Sequence, residues 1–363
     1  MEPAKKVVIV GSKFGEVYLN AFIQPQDKWH LIGLFSKGST RSRELSKAFG
    51  IPLFTRFEQL PEKIDLACIV VRSAIVGGEG SQLAQAFLQR GISVVQEHPV
   101  HPDEITRLQS LAEKKHCHYI VNSLYPHNKA GRLWIENTQN IYQQIQQRPV
   151  WGQIITSRQL LYSALDIYCQ AMKLHPSDIT VTLEKDNSPI QFLRLSNPTG
   201  DLLLCLQKHL SSDDPDQHSL VMHHMILGWS AGYLTLAGSY GPVEWNNALY
   251  IQHHQDSKKT MYQSSATMEL DEPLFHSFYT PPNSWQDVME CEAPEAINHL
   301  LAEIDKCWQL PDDEKPMILH PHYQLALSQL WIKTLQTAGK ATDGIIAPFK
   351  RMNFAKGSVR GKE

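Results

Sequence analysis

Gly11-Ser12-Lys13-Phe14-Gly15 follows four β-branched residues, Val7 to Val10, and leads into Val17, Tyr18, Ala21 and Phe22 at helical spacing. A strand, a glycine turn and a helix start together make a pyrophosphate site, because free amides and the helix dipole point at the anion. The usual G-x-G-x-x-G has lost its middle glycine and one residue, so a plain βα turn of another α/β protein is the competing reading. One βα unit later, Ser36-Lys37-Gly38-Ser39-Thr40-Arg41-Ser42-Arg43 offers hydroxyls and three cations but no acid. Enzymes that use NAD usually place Asp or Glu there, against the ribose 2′-hydroxyl. Hydroxyls and cations suit a 2′-phosphate instead. The stretch therefore favours NADP, the plainer alternative being a solvated basic loop. Arg72-Ser73 closes the next apolar run, at the strand end where open α/β sheets bind ligands.

Acid–base chemistry has its own candidates. Glu97-His98-Pro99-Val100-His101-Pro102 follows a short apolar strand, and Tyr125-Pro126-His127 follows the next. Histidine is the side chain that exchanges a proton near neutral pH, so His98 could act as an acid and Tyr125 could donate directly or orient a water. His101 and His127 could substitute or assist. The plainer roles are a His98 that only bonds a cofactor amide and a Tyr125 that only caps a helix. His116-Cys117-His118, His223-His224, His253-His254 and His320-His322 lack metal-ligand spacing, and adjacent residues on a strand point to opposite faces. No metal is expected. Trp229, Tyr240 and Trp245 read as core.

The elements that must hold these groups alternate. Strands are expected over Val7–Val10, His30–Phe35, Leu66–Val71, Ile92–Gln96 and His118–Val121, with helices after Gly15, over Glu44–Phe49, over Gln82–Gln89 and from Pro102 to about His116. Phe57 to Leu60 starts a short segment, and Gly77-Gly78-Glu79-Gly80-Ser81 opens the third helix. Such βαβ alternation implies a parallel, right-handed sheet. From Asn122 the pattern changes. A long helix to about Gln147 precedes strand-like segments at Ile154–Arg158, Ile179–Leu183, Ile190–Leu195 and Leu202–Gln207, with a helix over Leu160–Met172 between the first two. The Pro-rich region Pro273 to Pro282 and helices Ala293–Cys307 and His322–Ala338 close the chain. The expected architecture is α/β: a Rossmann domain over 1–122, then an α+β domain over 123–339 with a mixed, largely antiparallel open sheet. The stretch 340–363, with six Lys or Arg against two acids, reads as a mobile tail.

Length and composition agree. At 363 residues the chain suggests two domains, and 42% hydrophobic with 20% charged residues is ordinary for a globular protein. A net charge of −3 gives no reason to expect nucleic acid or a membrane surface. No apolar run approaches a membrane span, and the N-terminus lacks a signal-peptide core. The six scattered cysteines suit reduced, buried thiols of a cytoplasmic protein.

A dinucleotide fold followed by a mixed sheet, with Glu97-His98-Pro99 after the fourth strand, resembles the glucose–fructose oxidoreductase (Gfo/Idh/MocA) family. That family has Glu-Lys-Pro there, the lysine beside the nicotinamide, and His98 stands in its place. The chain resembles more narrowly the thiazolinyl imine reductases of siderophore biosynthesis. The residues that carry this are Val10-Gly-Ser-Lys-Phe-Gly-Glu-Val-Tyr-Leu-Asn-Ala-Phe22, Gly38-Ser-Thr-Arg-Ser-Arg-Glu-Leu45, Gln96-Glu-His-Pro-Val-His-Pro-Asp103, Tyr125-Pro-His127, Thr156-Ser-Arg-Gln-Leu-Leu-Tyr162, Ser239-Tyr-Gly-Pro-Val243 and Ala326-Leu-Ser328. The resemblance implies an NADPH-dependent, homodimeric enzyme that reduces a thiazoline C=N to a thiazolidine. Its substrate would hang from phosphopantetheine on a carrier domain of a nonribosomal peptide synthetase. It implies His98 and Tyr125 as proton donors. Gly11 to Gly15, Ser36 to Ser39, Arg41, Ser42, Arg72, Ser73, Glu97 and His98 are the residues expected around the cofactor. His101, Tyr125, His127, Arg158, Tyr162 and His218 stand as substrate-pocket candidates. Asp166 matches a polar substrate contact of the broader family, although a helix-surface acid is the plainer reading. The competing functions are an NADP-linked oxidoreductase of a free sugar or cyclic imine, and a non-catalytic NADP-sensing regulator.

Overall fold

The computed structural model describes residues 3–71, 78–213, 219–249, 272–282, 284–308, 310 and 314–344. Six parallel strands form the first sheet: β1 (Lys5–Val10), β2 (Trp29–Phe35), β3 (Leu53–Phe54), β4 (Leu66–Ile69), β5 (Ser93–Glu97) and β6 (Tyr119–Asn122), in the order β3-β2-β1-β4-β5-β6. Alternate residues of β1 serve opposite faces. Val7 and Ile9 pack with Leu66, Cys68, Val95 and Ile120, while Val8 and Val10 pack with Ala67, Ile69, Val94 and Val121. Both faces are buried, which is why the strand reads as a continuous apolar run. The helices on this sheet are α1 (Gly15–Asn20), α2 (Thr40–Ala48), α3 (Glu79–Leu88) and α4 (Pro102–Lys114). Strand order reverses between β1 and β4, and the crevice outside their carboxyl ends is where such sheets bind ligands.

After α5 (Lys129–Ile145) comes a sheet of eight strands: β7 (Trp151–Thr156), β8 (Thr180–Asp186), β9 (Ile190–Asn197), β10 (Gly200–Gln207), β12 (His223–Trp229), β13 (Gly232–Leu236), β14 (Val243–Asn247) and β15 (Phe275–Tyr279). Its order is β15-β14-β13-β12-β7-β10-β9-β8, and β10 with β7 is the parallel pair in an otherwise antiparallel sheet. Helices α5, α6 (Leu161–Met172) and α8 (Pro321–Ala338) cover one face. The other face carries a row of cross-strand partners, Trp151, Gly228, Tyr233, Asn246 and Phe275. A side chain on Gly228 would begin 2.0 Å from the Trp151 indole nitrogen, so that glycine lets the indole lie flat on the sheet. Trp151, Tyr233, Phe275 and Leu203 are exposed on this surface.

Several expectations need correction. Thr40 to Arg43 is not loop but the first turn of α2, capped by Ser39. The Pro-rich region contains β15, an edge strand, which is the position where flanking prolines do no harm to a ladder. Strands β12 to β14 were not expected. The start of the supposed tail is anchored, because β16 (Thr342–Asp343) pairs with β11 (His209–Leu210) and the Asp343 carboxylate accepts from the Ser212 amide at 2.9 Å. Residues 345–363 lie outside the described residues. Cys68, Cys169, Cys205 and Cys307 are buried, whereas Cys117 is half-buried and Cys291 is exposed. Late in the chain, α7 (Ala293–Cys307) returns to pack on α1, and α8 also touches α4 and β6.

Candidate active site

The glycine turn closes tightly because Gly11 has φ +111°, donates its N–H to the Phe35 carbonyl at 3.0 Å, and approaches β4 so closely that a Cβ would lie 2.7 Å from the Val70 oxygen. A left-handed backbone in that space admits glycine alone. Lys13 and Phe14 are exposed at the rim, Ser12 is half-buried, and Gly15 is buried beneath Ile9. Arg41, in the first turn of α2, reaches across. Its Nε donates to the Ser12 carbonyl at 2.8 Å and its guanidinium pairs with Glu16. Lys37 pairs with Glu79 at 2.7 Å, and Gly38, at φ +78°, donates to the Ser36 hydroxyl at 3.3 Å. Both ion pairs are exposed and therefore weak. Ser42 is a correction. It is fully buried, with its hydroxyl donating to the Ser39 carbonyl at 2.8 Å, and it stabilises the helix cap rather than facing a ligand. With no carboxylate among residues 36–43 and α2's N-terminal amides beside Ser39 and Arg41, this donor set fits a 2′-phosphate. Arg72 and Ser73 lie outside the described residues.

Glu97 and His98 leave the carboxyl end of β5. One oxygen of Glu97 accepts from the Tyr18 hydroxyl and, at 3.1 Å, from the Asn122 amide; its other oxygen lies 3.2 Å from His98 Nδ1. His98 Nδ1 also lies 3.0 Å from the Asn122 carbonyl. A carbonyl only accepts, so Nδ1 carries hydrogen and Nε2 is the atom left for proton exchange. The imidazole lies face to face with Tyr162, centroids 5.3 Å apart.

Tyr125 is placed by an unusual turn. Its N–H bonds two residues back to the Ser123 carbonyl at 2.7 Å, around Leu124 at φ +59° and ψ −60°. This is the rarer, strained hand of γ-turn. The following helix comes so close that a Cβ on Gly131 would sit 2.1 Å from the Tyr125 carbonyl oxygen. The Tyr125 ring packs on His223 with centroids 4.5 Å apart, and its hydroxyl is hydrogen-bonded to Tyr240. Burial, then the neighbouring Tyr240 and Glu97, push the Tyr125 phenol well above its ordinary pKa. Tyr240, buried and close to Glu292 and Glu97, is pushed up to about 12. Neither tyrosine ionises near neutrality, so each can only hold or pass on a hydroxyl proton.

The remaining expected residues divide. Tyr162 is buried behind His98, with its edge on Trp331. Asp166 is not a helix-surface acid: at 2% exposure it accepts from Ser123, from the Tyr323 hydroxyl at 2.6 Å and from Gln170 at 2.8 Å. Burial raises its pKa against those hydrogen bonds. His101 caps α4, accepting the Asp103 amide at 3.3 Å. His127 is buried against His299, with their Nδ1 atoms 3.2 Å apart, and burial followed by the charge of its neighbours lowers its pKa to about 3. Arg158 spends its guanidinium on the Gly339 carbonyl at 3.0 Å and Gln191 at 2.7 Å, tying β9 to the end of α8. His218 lies outside the described residues. Sequence reasoning missed Tyr18, Asn122 and His223, and set Tyr240 aside as core. His223 is fully buried between Ser163, at 2.9 Å, and Ser239, at 2.7 Å, and burial lowers its pKa to about 3. The only signal for it was a His-His pair at the start of an alternating strand. Among the described residues, no group of three or more His, Cys, Asp or Glu side chains is placed to hold a metal ion.

Residues 5–123 match the sequence model of the oxidoreductase family with an NAD-binding Rossmann fold, Gfo/Idh/MocA. Residues 147–246 match that of the C-terminal domain of thiazolinyl imine reductases of the Irp3-like type. No curated protein matches the chain by sequence. Among solved structures, the chain is similar to KijD10, a 3-ketoreductase from Actinomadura kijaniata in complex with TDP-benzene and NADP, at 11% identity and TM-score 0.62, over 93% of this chain and 98% of that one. It is similar to an oxidoreductase from Agrobacterium radiobacter in complex with NAD+, L-tartaric acid and magnesium, at 10% identity and TM-score 0.63, over 92% and 96%. It is also similar to GenD2 from gentamicin A biosynthesis in complex with NAD, at 11% identity and TM-score 0.61, over 93% and 95%. Identities this low speak for the fold.

Proposed function

We propose, from the premise that this chain is an oxidoreductase of the Gfo/Idh/MocA family with an Irp3-like C-terminal domain, that it is a thiazolinyl imine reductase. It uses NADPH to reduce the C=N of a thiazoline to a thiazolidine while the substrate is tethered to a carrier domain in siderophore assembly. The observation that carries this reading is His98. It takes the place where the wider family has a lysine, and its Nδ1 is tied to a carbonyl, which leaves Nε2 for a heteroatom.

The residues divide the work. NADPH, when bound, supplies the hydride that the imine carbon accepts. The turn Gly11–Gly15 would hold its pyrophosphate, and Ser39, Arg41 and the start of α2 its 2′-phosphate. His98 in its doubly protonated form gives the Nε2 proton to the ring nitrogen, so that one hydride and one proton saturate the C=N bond. The Glu97 carboxylate, 3.2 Å from Nδ1, stabilises the positive charge on the ring before transfer. Tyr125, bonded to Tyr240, is the second donor and can return a proton to the site. The cofactor unit ends at Asn122 and the substrate unit runs from 123 through β16 at Thr342–Asp343. The exposed row on the outer face of the eight-stranded sheet is the surface for a homodimer, and the free cysteines suit the cytoplasm.

The test is NADPH oxidation with a carrier-tethered or thioester-mimic thiazoline, beside a free aldose. Turnover with the thiazoline alone is expected. Turnover with the aldose alone would replace this reading with that of a sugar oxidoreductase, and turnover with neither would favour a non-catalytic NADP sensor.

A further inference from the structure

Asn122, the last residue of β6, bonds His98, Glu97, Tyr18 and the backbone of the turn that precedes Tyr125. Its carbonyl accepts the His98 backbone N–H at 2.9 Å and lies 3.0 Å from His98 Nδ1. Its amide nitrogen reaches Glu97 at 3.1 Å and the Tyr18 hydroxyl at 2.7 Å. Its amide oxygen accepts the Leu124 N–H at 2.9 Å, inside the turn that places Tyr125. Both donors and the acceptor of one buried side chain are thus spent on groups that orient His98 or Tyr125. We infer that Asn122 is a positioning residue for the reduction: it holds the Glu97 carboxylate against His98 and keeps His98 and Tyr125 at a fixed separation. This rests on His98 acting as proton donor.

The chemistry of the amide is what the role needs. A residue at this point must donate to a carboxylate and accept from a backbone N–H at once, and an amide does both without a charge. Aspartate keeps the acceptor for Leu124 but loses both N–H donors, and it places a second carboxylate against Glu97. Two carboxylates so close cannot both stay ionised cheaply, so the pair takes up a proton at higher pH than either alone. Once protonated, the new carboxyl regains a donor toward Glu97. A variant that fails through lost orientation therefore recovers on acidification, whereas one that fails through general disruption does not.

The experiment compares wild type, Asn122→Asp and His98→Ala in steady-state reduction of the carrier-tethered thiazoline from pH 6 to pH 8.5, with NADPH Kd measured by fluorescence. For Asn122→Asp we expect kcat at pH 8 to fall by up to about 100-fold with KM and NADPH Kd within about threefold of wild type, as misplacement of reacting groups by an ångström produces. The ratio of variant to wild-type kcat should then rise about fivefold by pH 6, the release of a like-charge pair. A ratio that stays flat with pH, or a loss of NADPH binding in proportion to kcat, overturns the role. If Asn122→Asp does not fold, Tyr18→Phe carries the test. It removes only the hydroxyl bonded to both Asn122 and Glu97, a lost hydrogen bond that should lower kcat about fivefold at constant KM, and an unchanged kcat overturns the role. His98→Ala separates the two assignments. If it keeps wild-type turnover, His98 is not the donor. If it loses turnover while Asn122→Asp does not, His98 stands and the positioning role falls.

Discussion

The imidazole of His98 and the phenol of Tyr162 lie in stacked planes 26° apart, with centroids separated by 5.3 Å. The stack covers one face of the ring that the proposed mechanism uses, while the Asn122 carbonyl and Glu97 hold its Nδ1 edge. Ring orientation is thus fixed by two independent contacts, one apolar and one polar. Tyr162→Phe, which keeps the stack, is expected to retain kcat within about twofold. Tyr162→Leu gives up an aromatic contact worth about 1 kcal/mol and is expected to lower kcat about fivefold. Equal kcat for the two variants would mean that the stack does not orient His98.

Arg41 links the glycine turn to the start of α2 through the Ser12 carbonyl at 2.8 Å and its pair with Glu16. Arg41→Ala is expected to weaken NADPH by about tenfold or more, the size of a charge-assisted hydrogen bond, and NADH by about twofold at most. Fluorescence titration with both cofactors measures this. Equal losses would reduce Arg41 to a folding role.

Gly131 lies under the Tyr125 carbonyl, where a Cβ would come within 2.1 Å of backbone oxygen. Gly131→Ala must push α5 and the turn apart. An expected cost of about 1–3 kcal/mol in urea unfolding, the usual range for overpacking, should come with a loss of kcat larger than the loss of NADPH affinity. Wild-type stability and kcat in this variant would show that the approach is not tight.

Buried histidines set the acid limit of stability. His127 and His223 are each lowered from 6.5 to about 3, chiefly by burial. Between those values the unfolded chain binds protons that the fold refuses, so unfolding free energy falls as pH drops below about 6.5, by about 1.4 kcal/mol per pH unit for each such residue. The stability they contribute is complete above the unfolded pKa and is lost as pH falls toward 3. Urea unfolding of wild type and His223→Gln from pH 7.5 to 4.5 should give the variant a slope shallower by about one proton. An identical slope would mean that His223 takes up a proton within the fold.

The parts of this molecule visible in its sequence are those with a local pattern. The run Val7–Val10, the turn at Gly11 and the helix start at Pro102 each follow from neighbours a few residues away, as do the bounds of α7 at Ala293 and Cys307. The cluster around His98 is different. Tyr18, Glu97 and Asn122 meet across 79 and 104 residues of chain, and nothing in the spacing of any one of them announces the contact. Ser42 misled because a serine three residues after an N-cap serine can bond back to that cap or bind an anion, and burial decided for the bond to Ser39. Asp166 reads as an amphipathic surface position until Tyr323, 157 residues on, arrives from α8 to bond it.

The most direct measurement is a single turnover with NADPH carrying deuterium on the transferred position of its nicotinamide, followed by mass spectrometry of the carrier-bound product. The expected product is the thiazolidine, with one deuterium on the former imine carbon and one solvent hydrogen on nitrogen, formed at least about tenfold more slowly by His98→Ala. An unchanged thiazoline beside unconsumed NADPH would contradict the account, as would a deuterated thiazolidine formed at the wild-type rate by His98→Ala.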